Sequence, residues 1–174
     1  MVSKKMEKAL NEQIALEGYA SYFYLSMASW CDQQGLNGCA TFMHRQSIEE
    51  REHMLRLFHY ISEVDGHAIT PGIKQPPHSW ESIQVMFQEV FEHEQKVTKS
   101  INKLLDLCYK EEDHGTLNFL QWYVEEQREE EALMRQILDT LKLIGTGAQS
   151  LYFIDKEVAA VNAAEEAKEA EEGE

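Results

Sequence analysis

The sequence predicts an all-α fold: two helical hairpins joined by one long connection into a four-helix bundle, with a short fifth helix at the C-terminal end. Three observations carry this prediction. Apolar residues recur at steps of three and four through four windows of roughly 30 residues, the mark of helices with one buried face. Helix-breaking residues gather between those windows: Gly35 and Gly38; Pro71, Gly72, Pro76 and Pro77; Asp113 and Gly115; Gly145 and Gly147. The chain's 174 residues suffice for one domain with a substantial core.

The first helix is expected from Ser3, a good N-cap, to about residue 33, with a stripe through Leu10, Gln13, Glu17, Ala20, Tyr24, Met27 and Cys31. The glycine turn after it is short, so the second helix runs back antiparallel. Its stripe is Met43, Gln46, Glu50, His53, Leu57, Tyr60 and Val64, and it ends near Asp65 and Gly66. The proline-rich stretch that follows is a long extended crossover. Ser79 is the expected N-cap of the third helix, which lasts to about Lys110 with Ile83, Phe87, Val90, Glu94, Val97, Ile101, Leu104 and Cys108 on its stripe. The fourth carries Leu120, Tyr123, Gln127, Glu130, Met134, Ile137 and Leu141, and stops before Gly145. Helices of this length span ~45 Å. The fifth segment, residues 148–161, holds Leu151, Tyr152, Phe153, Ile154, Val158 and Val161, more apolar surface than a terminal appendage needs. It is expected to be buried against another subunit. Residues 1–162 would make the domain, and residues 163–174 a disordered acidic tail, since the stretch from Asn162 onward has six Glu against one Lys.

Each long stripe is interrupted at its midpoint by polar residues: Glu17, then Glu50 with His53, then Glu94, then Gln127 with Glu130. Burying an unpaired carboxylate costs several kcal/mol, and no Arg or Lys occupies these stripes to offset it. Midpoints of packed helices meet at one height whether neighbours run parallel or antiparallel. Four carboxylates then converge, a charge that two divalent cations would neutralise, and His53 adds a nitrogen ligand. The pattern reads as a metal site inside the bundle.

Glu17, Glu50-x-x-His53, Glu94, Gln127 and Glu130, on four helices with a long second-to-third connection and a short fifth helix, resemble a bacterial non-haem ferritin over nearly the whole chain. Glu together with Glu-x-x-His is the mark of ferritin-like di-iron proteins. The resemblance implies that Glu17 and His53 hold one iron, Glu94 and Glu130 the other, and that Glu50 bridges them. Gln127 would contact oxygen or water, and Tyr24 would stand beside the centre as a redox or hydrogen-bonding neighbour. A third iron site is implied at Glu49, Glu126 and Glu129, with Glu130 shared; apart from the resemblance these three read as a solvated helix face. Haem-containing bacterioferritins repeat Glu-x-x-His on the fourth helix and place a methionine after the bridging glutamate. Here Gln127-Arg128-Glu129-Glu130 and Arg51 stand at those positions, so no haem is expected. Animal ferritins line a channel with acids early in the fourth helix, where this chain has Leu117 and Leu120. The activity implied is iron storage and detoxification: a ferroxidase oxidises Fe²⁺ with O₂ or H₂O₂ and deposits a hydrated ferric oxide inside a 24-subunit shell.

Composition bounds the remaining classes. A net charge of -15 argues against nucleic acid or an anionic membrane as partner and favours cations or a soluble assembly. Cys31, Cys39 and Cys108 are odd in number and widely spaced, which makes no disulfide framework and reads as core filler. No apolar leader or membrane-length run is visible, so the expected compartment is the cytoplasm. His44, His59, His67, His78, His93 and His114 are read as surface or capped residues. Two further functions compete: a soluble di-iron oxidase or peroxidase that stores no iron, and a structural bundle whose core acids are merely protonated.

Overall fold

The computed structural model describes residues 2–147 and 149–172. Ala148, the expected start of the fifth helix, and Gly173 and Glu174 of the tail lie outside the described residues. The elements are α1 (Lys4–Gln33), α2 (Asn37–Glu63), α3 (Ile83–Glu111), α4 (His114–Ile144) and α5 (Ser150–Glu172). No helix among the described residues is long and apolar enough to cross a membrane.

Local chemistry sets the ends. Ser3 Oγ accepts from Met6 N at the start of α1, as its sequence position predicts. Gly35, at φ 75°, supplies the left-handed turn into α2. Asp113 Oδ1 accepts from Thr116 N at 2.9 Å and starts α4 directly after α3. The N-cap of α3 is Ser82, not Ser79: its Oγ accepts from Val85 N at 3.1 Å. Both serines have the chemistry, and Trp80 decides between them. Its ring is buried against Trp30, and its Nε1 donates to Glu89 at 2.8 Å, which holds the chain out of the helix for one more turn.

Residues 64–82 form the crossover and run the length of α1. Asn11 fixes one end, donating to His67 O at 3.0 Å and accepting from Ile69 N at 2.7 Å; Ser26 Oγ donates to Pro77 O at the other. α3 therefore starts beside the end of α1 and runs parallel to α2, giving two antiparallel pairs, α1 with α2 and α3 with α4.

The core divides into two apolar clusters. One contains Ala20, Met27, Met43, Phe87, Val90, Met134 and Ile137; the other contains Leu10, Ile14, Leu57, Val97, Ile101, Leu120 and Tyr123. Each of α1 to α4 changes cluster across its polar midpoint. The acids thus form one layer across the bundle, at the common height expected from the stripes.

The fifth helix departs from expectation twice. It continues to Glu172 through the stretch read as a disordered tail. Its Ile154 and Val158 are buried against this chain's own bundle, while Leu151, Tyr152 and Phe153 remain exposed. α5 runs along α2 from its N-terminus, where Asp155 Oδ1 accepts from Cys39 N at 2.8 Å. Leu36 gives α2 no side-chain cap, so α5 supplies one. The approach demands a glycine at position 38: a Cβ there would lie 2.3 Å from Asp155 O.

Candidate metal centre

Glu17 and Glu94 are fully buried, and Glu50, His53, Gln127 and Glu130 are 2–6% exposed. α1 brings Glu17 against the Glu50 and His53 pair of α2, where one ligand atom from each lies within 4.8 Å of the others. Gln13 Nε2 donates to Glu17 Oε1 at 2.7 Å, one turn back on α1. His53 Nδ1 lies 3.8 Å from Glu50 Oε2, and its Nε2 is 3.8 Å from Glu126 Oε1. Trp122 meets the imidazole edge-on at 5.2 Å, and Tyr123 Oη donates to His53 O at 2.7 Å, which fixes that turn of α2 against α4.

The other half of the layer is hydrogen-bonded. Glu94 accepts from Tyr24 Oη on one oxygen and from Gln127 Nε2 on the other, at 3.0 Å for the second. Glu130 lies beside Glu94 and Glu50, close enough that their charges oppose its ionisation. Glu17, Glu50 and Glu130 each keep one buried carboxylate oxygen with no hydrogen-bond partner.

Burial pushes the carboxyl pKa of Glu17, Glu50, Glu94 and Glu130 above the ordinary 4.5. Neighbouring carboxylates push the same way: Glu50 on Glu17, and Glu94 on Glu50 and Glu130. Burial, then the Glu94 charge, also holds the Tyr24 phenol well above its usual range. A cation among these groups would replace protons, satisfy the unpartnered oxygens and remove the mutual repulsion. Hard oxygen donors with one imidazole fit iron, manganese or zinc. The donor set therefore fits a metal ion, and among the described residues it is the Glu17, Glu50 and His53 group that is already drawn together.

The ferritin-like domain family matches residues 7–144, the four long helices and all the acids of the layer. The chain belongs to the ferritin family. It is 46% identical over 156 residues to a bacterial non-haem ferritin of Campylobacter jejuni, covering 90% of this chain and 93% of that one. It is 42% identical over 158 residues to a probable bacterial non-haem ferritin-like protein of Haemophilus influenzae, covering 91% and 96%. Among solved structures, an open pore ferritin from the hyperthermophilic archaeon Archaeoglobus fulgidus superposes with a TM-score of 0.89 at 44% identity, covering 91% of this chain and 98% of that one.

Beside the layer this ferritin has an acidic cavity of about 90 Å³. Glu49 and Glu126 line it together with Glu129 and Glu130, so these acids do lie together. Glu49 and Glu126 are half-buried there, whereas Glu129 is exposed, as the bare sequence suggests. Arg45 and Gln46 both donate to Glu49, and Lys168 of α5 donates to Glu129.

Sequence reasoning missed Gln13, Tyr123 and Trp122 as supports of the layer, and Gln46 as a partner of Glu49 in the cavity. Gln13 and Gln46 were visible as amides on otherwise apolar stripes; the two aromatics gave no signal apart from ordinary core. His93 corrects the surface reading. It is 5% exposed among Tyr19, Phe23 and Tyr24, and burial lowers its pKa to about 4, so it is neutral. The other five histidines read as surface are exposed. The three cysteines are buried core residues, with burial raising the thiols of Cys31 to about 12 and Cys108 to about 11.

Proposed function

We propose that this ferritin stores iron and is a ferroxidase, with Fe²⁺ as its substrate and O₂ or H₂O₂ as the oxidant. The observation that carries this is the layer itself: four buried carboxylates and an imidazole on four helices, three of the acids with an unpartnered oxygen, and no Lys or Arg among them. In this reading Glu17 and His53 hold one iron, Glu94 and Glu130 the second, and Glu50 lies between them. Gln13 orients Glu17 through its 2.7 Å hydrogen bond. Tyr24 and Gln127 hold Glu94 until iron competes for it, and then offer a phenol and an amide toward the reacting ions. Glu49, Glu126 and Glu129 take a third cation beside Glu130.

Charge favours release of the product. Four carboxylates balance two Fe²⁺, but two Fe³⁺ leave about two positive charges over, which makes bound water acidic and drives hydrolysis to the oxide. The acidic surplus of the chain then serves nucleation within a hollow shell, proposed to be of 24 subunits in the cytoplasm.

The test is stepwise addition of Fe²⁺ to aerated metal-free protein, following ultraviolet absorbance and particle size, with Glu50→Ala as control. Uptake far beyond two irons per chain in a large soluble particle is expected, with rapid oxidation lost in Glu50→Ala while the variant stays folded. Saturation at two per chain in a small particle would establish a non-storing di-iron enzyme. Undiminished oxidation in Glu50→Ala would overturn the site.

A further inference from the structure

The last turns of α5 lie over the acidic cavity. From its start the helix is tied to α2 at successive turns: Asp155 at Cys39 N, Ile154 and Val158 in the core, then Asn162, which is 4% exposed and accepts from Arg45 Nε at 2.8 Å. Beyond Asn162 the tie changes character. Glu165 and Lys168 face the cavity, and Lys168 pairs with Glu129, the two side chains 46% and 52% exposed. An exposed ion pair is worth little, so Lys168 can give up Glu129 to a competing cation while the turns before it stay docked.

We propose that the end of α5 is a strap across the cavity. Lys168 is a built-in cation that an arriving divalent metal ion must displace from Glu129, and Glu165 is a further carboxylate that receives the ion. Five carboxylates line the space against two cationic side chains, Arg45 and Lys168, which suits a hard cation and excludes an anion. A separate observation marks the cavity as a binding place: Glu130 lines it, is 6% exposed, and keeps a buried oxygen without a partner. Glu130 also belongs to the layer, so an ion held by Glu165 and Glu129 stands next to the proposed oxidation site. Lys168 would tune how readily the ion stays. The inference rests on the proposed reading of the layer as a cation site.

Calorimetric titration of Zn²⁺ into the full-length metal-free protein, at low ionic strength, tests it. The wild type is expected to show a tight class of sites, lost in Glu50→Gln, and a weaker class from the cavity. Lys168→Gln should tighten the weaker class about twofold to fivefold, the range an exposed ion pair commands, and Glu165→Gln should weaken it similarly. Lys168→Arg should match wild type, and the tight class should not move in any α5 variant. Unchanged weak-class affinity in both Lys168→Gln and Glu165→Gln, with the tight class intact, would overturn the strap and leave the layer standing. A tight class indifferent to Glu50→Gln, or none at all, would overturn the reading of the layer and the strap with it.

Discussion

At the scale of single residues, the buried acids make the metal-free chain sensitive to pH in an unusual direction. Folding raises the proton affinity of Glu17, Glu50, Glu94 and Glu130. The stability these groups contribute is therefore fully present below the ordinary glutamate value of 4.5, and is lost as pH rises through their higher folded values. The Glu17→Gln/Glu50→Gln double variant lacks the share of that loss due to Glu17 and Glu50. Thermal melts of the two metal-free proteins from pH 4.5 to 8 should show the variant gaining on wild type as pH rises. Zn²⁺ should raise the melting temperature of wild type more than that of the variant, by the equivalent of about 3 kcal/mol at a hundredfold excess over the dissociation constant of the layer. A gap that narrows with pH would mean these carboxylates ionise freely in the fold. The positions of the acids were legible because a charge in an apolar stripe is conspicuous. The Tyr24–Glu94–Gln127 link was not, because it depends on how three helices are rotated about their axes, and stripes fix rotation only to within a face. Glu49 and Glu126 were legible through the resemblance alone, because surface glutamates are common and it is α5 that closes these into a cavity.

At the scale of elements, four helices and their crossover follow from caps, glycines and prolines, and the errors lie where two signals compete. Ser79 and Ser82 offer the same N-cap chemistry, and the burial of Trp80, a tertiary event, chooses the later one. Acidity and the lack of large apolar residues argue for disorder at the end of α5. Yet Ala, Glu and Lys are strong helix formers, and docking through Ile154, Val158 and Asn162 gives the helix the tertiary support that composition cannot reveal. The α2–α5 junction makes the clearest mutational prediction. Gly38→Ala would drive a Cβ into Asp155 O at 2.3 Å, and should destabilise by about 1–3 kcal/mol, the usual cost of overpacking. Asp155→Ala removes the acceptor at Cys39 N and should cost about 1 kcal/mol as a lost helix cap. Denaturant melts with a separate probe on α5 should show both variants loosening α5 first. Wild-type midpoints in both would mean that α5 is not docked on its own subunit in solution.

At the scale of the whole molecule, the two faces of α5 divide the work that the sequence assigned to one. Ile154 and Val158 complete the subunit core, whereas Leu151, Tyr152 and Phe153 at the start of α5 stay 47–67% exposed, and Leu143 at the end of α4 is 88% exposed. Four large apolar side chains at one end of the bundle are what a subunit contact uses. Deleting everything from residue 148 onward would confound these roles, since it also strips the α2 cap and part of the core. The Tyr152→Asp/Phe153→Asp double variant separates them. Both side chains point to solvent within the subunit, so its unfolding free energy should shift by no more than about 0.5 kcal/mol. In an assembly the same positions would bury two charges against apolar surface, at a cost of several kcal/mol per contact. Light scattering should then find small oligomers in place of a large particle. The first two Fe²⁺ per chain should still oxidise at the wild-type rate, because the acid layer lies near mid-bundle and is untouched. Iron beyond those two should precipitate instead of remaining soluble. A full-sized particle from this variant would show that assembly runs through other surfaces, and would leave the exposed aromatics of α5 without that role.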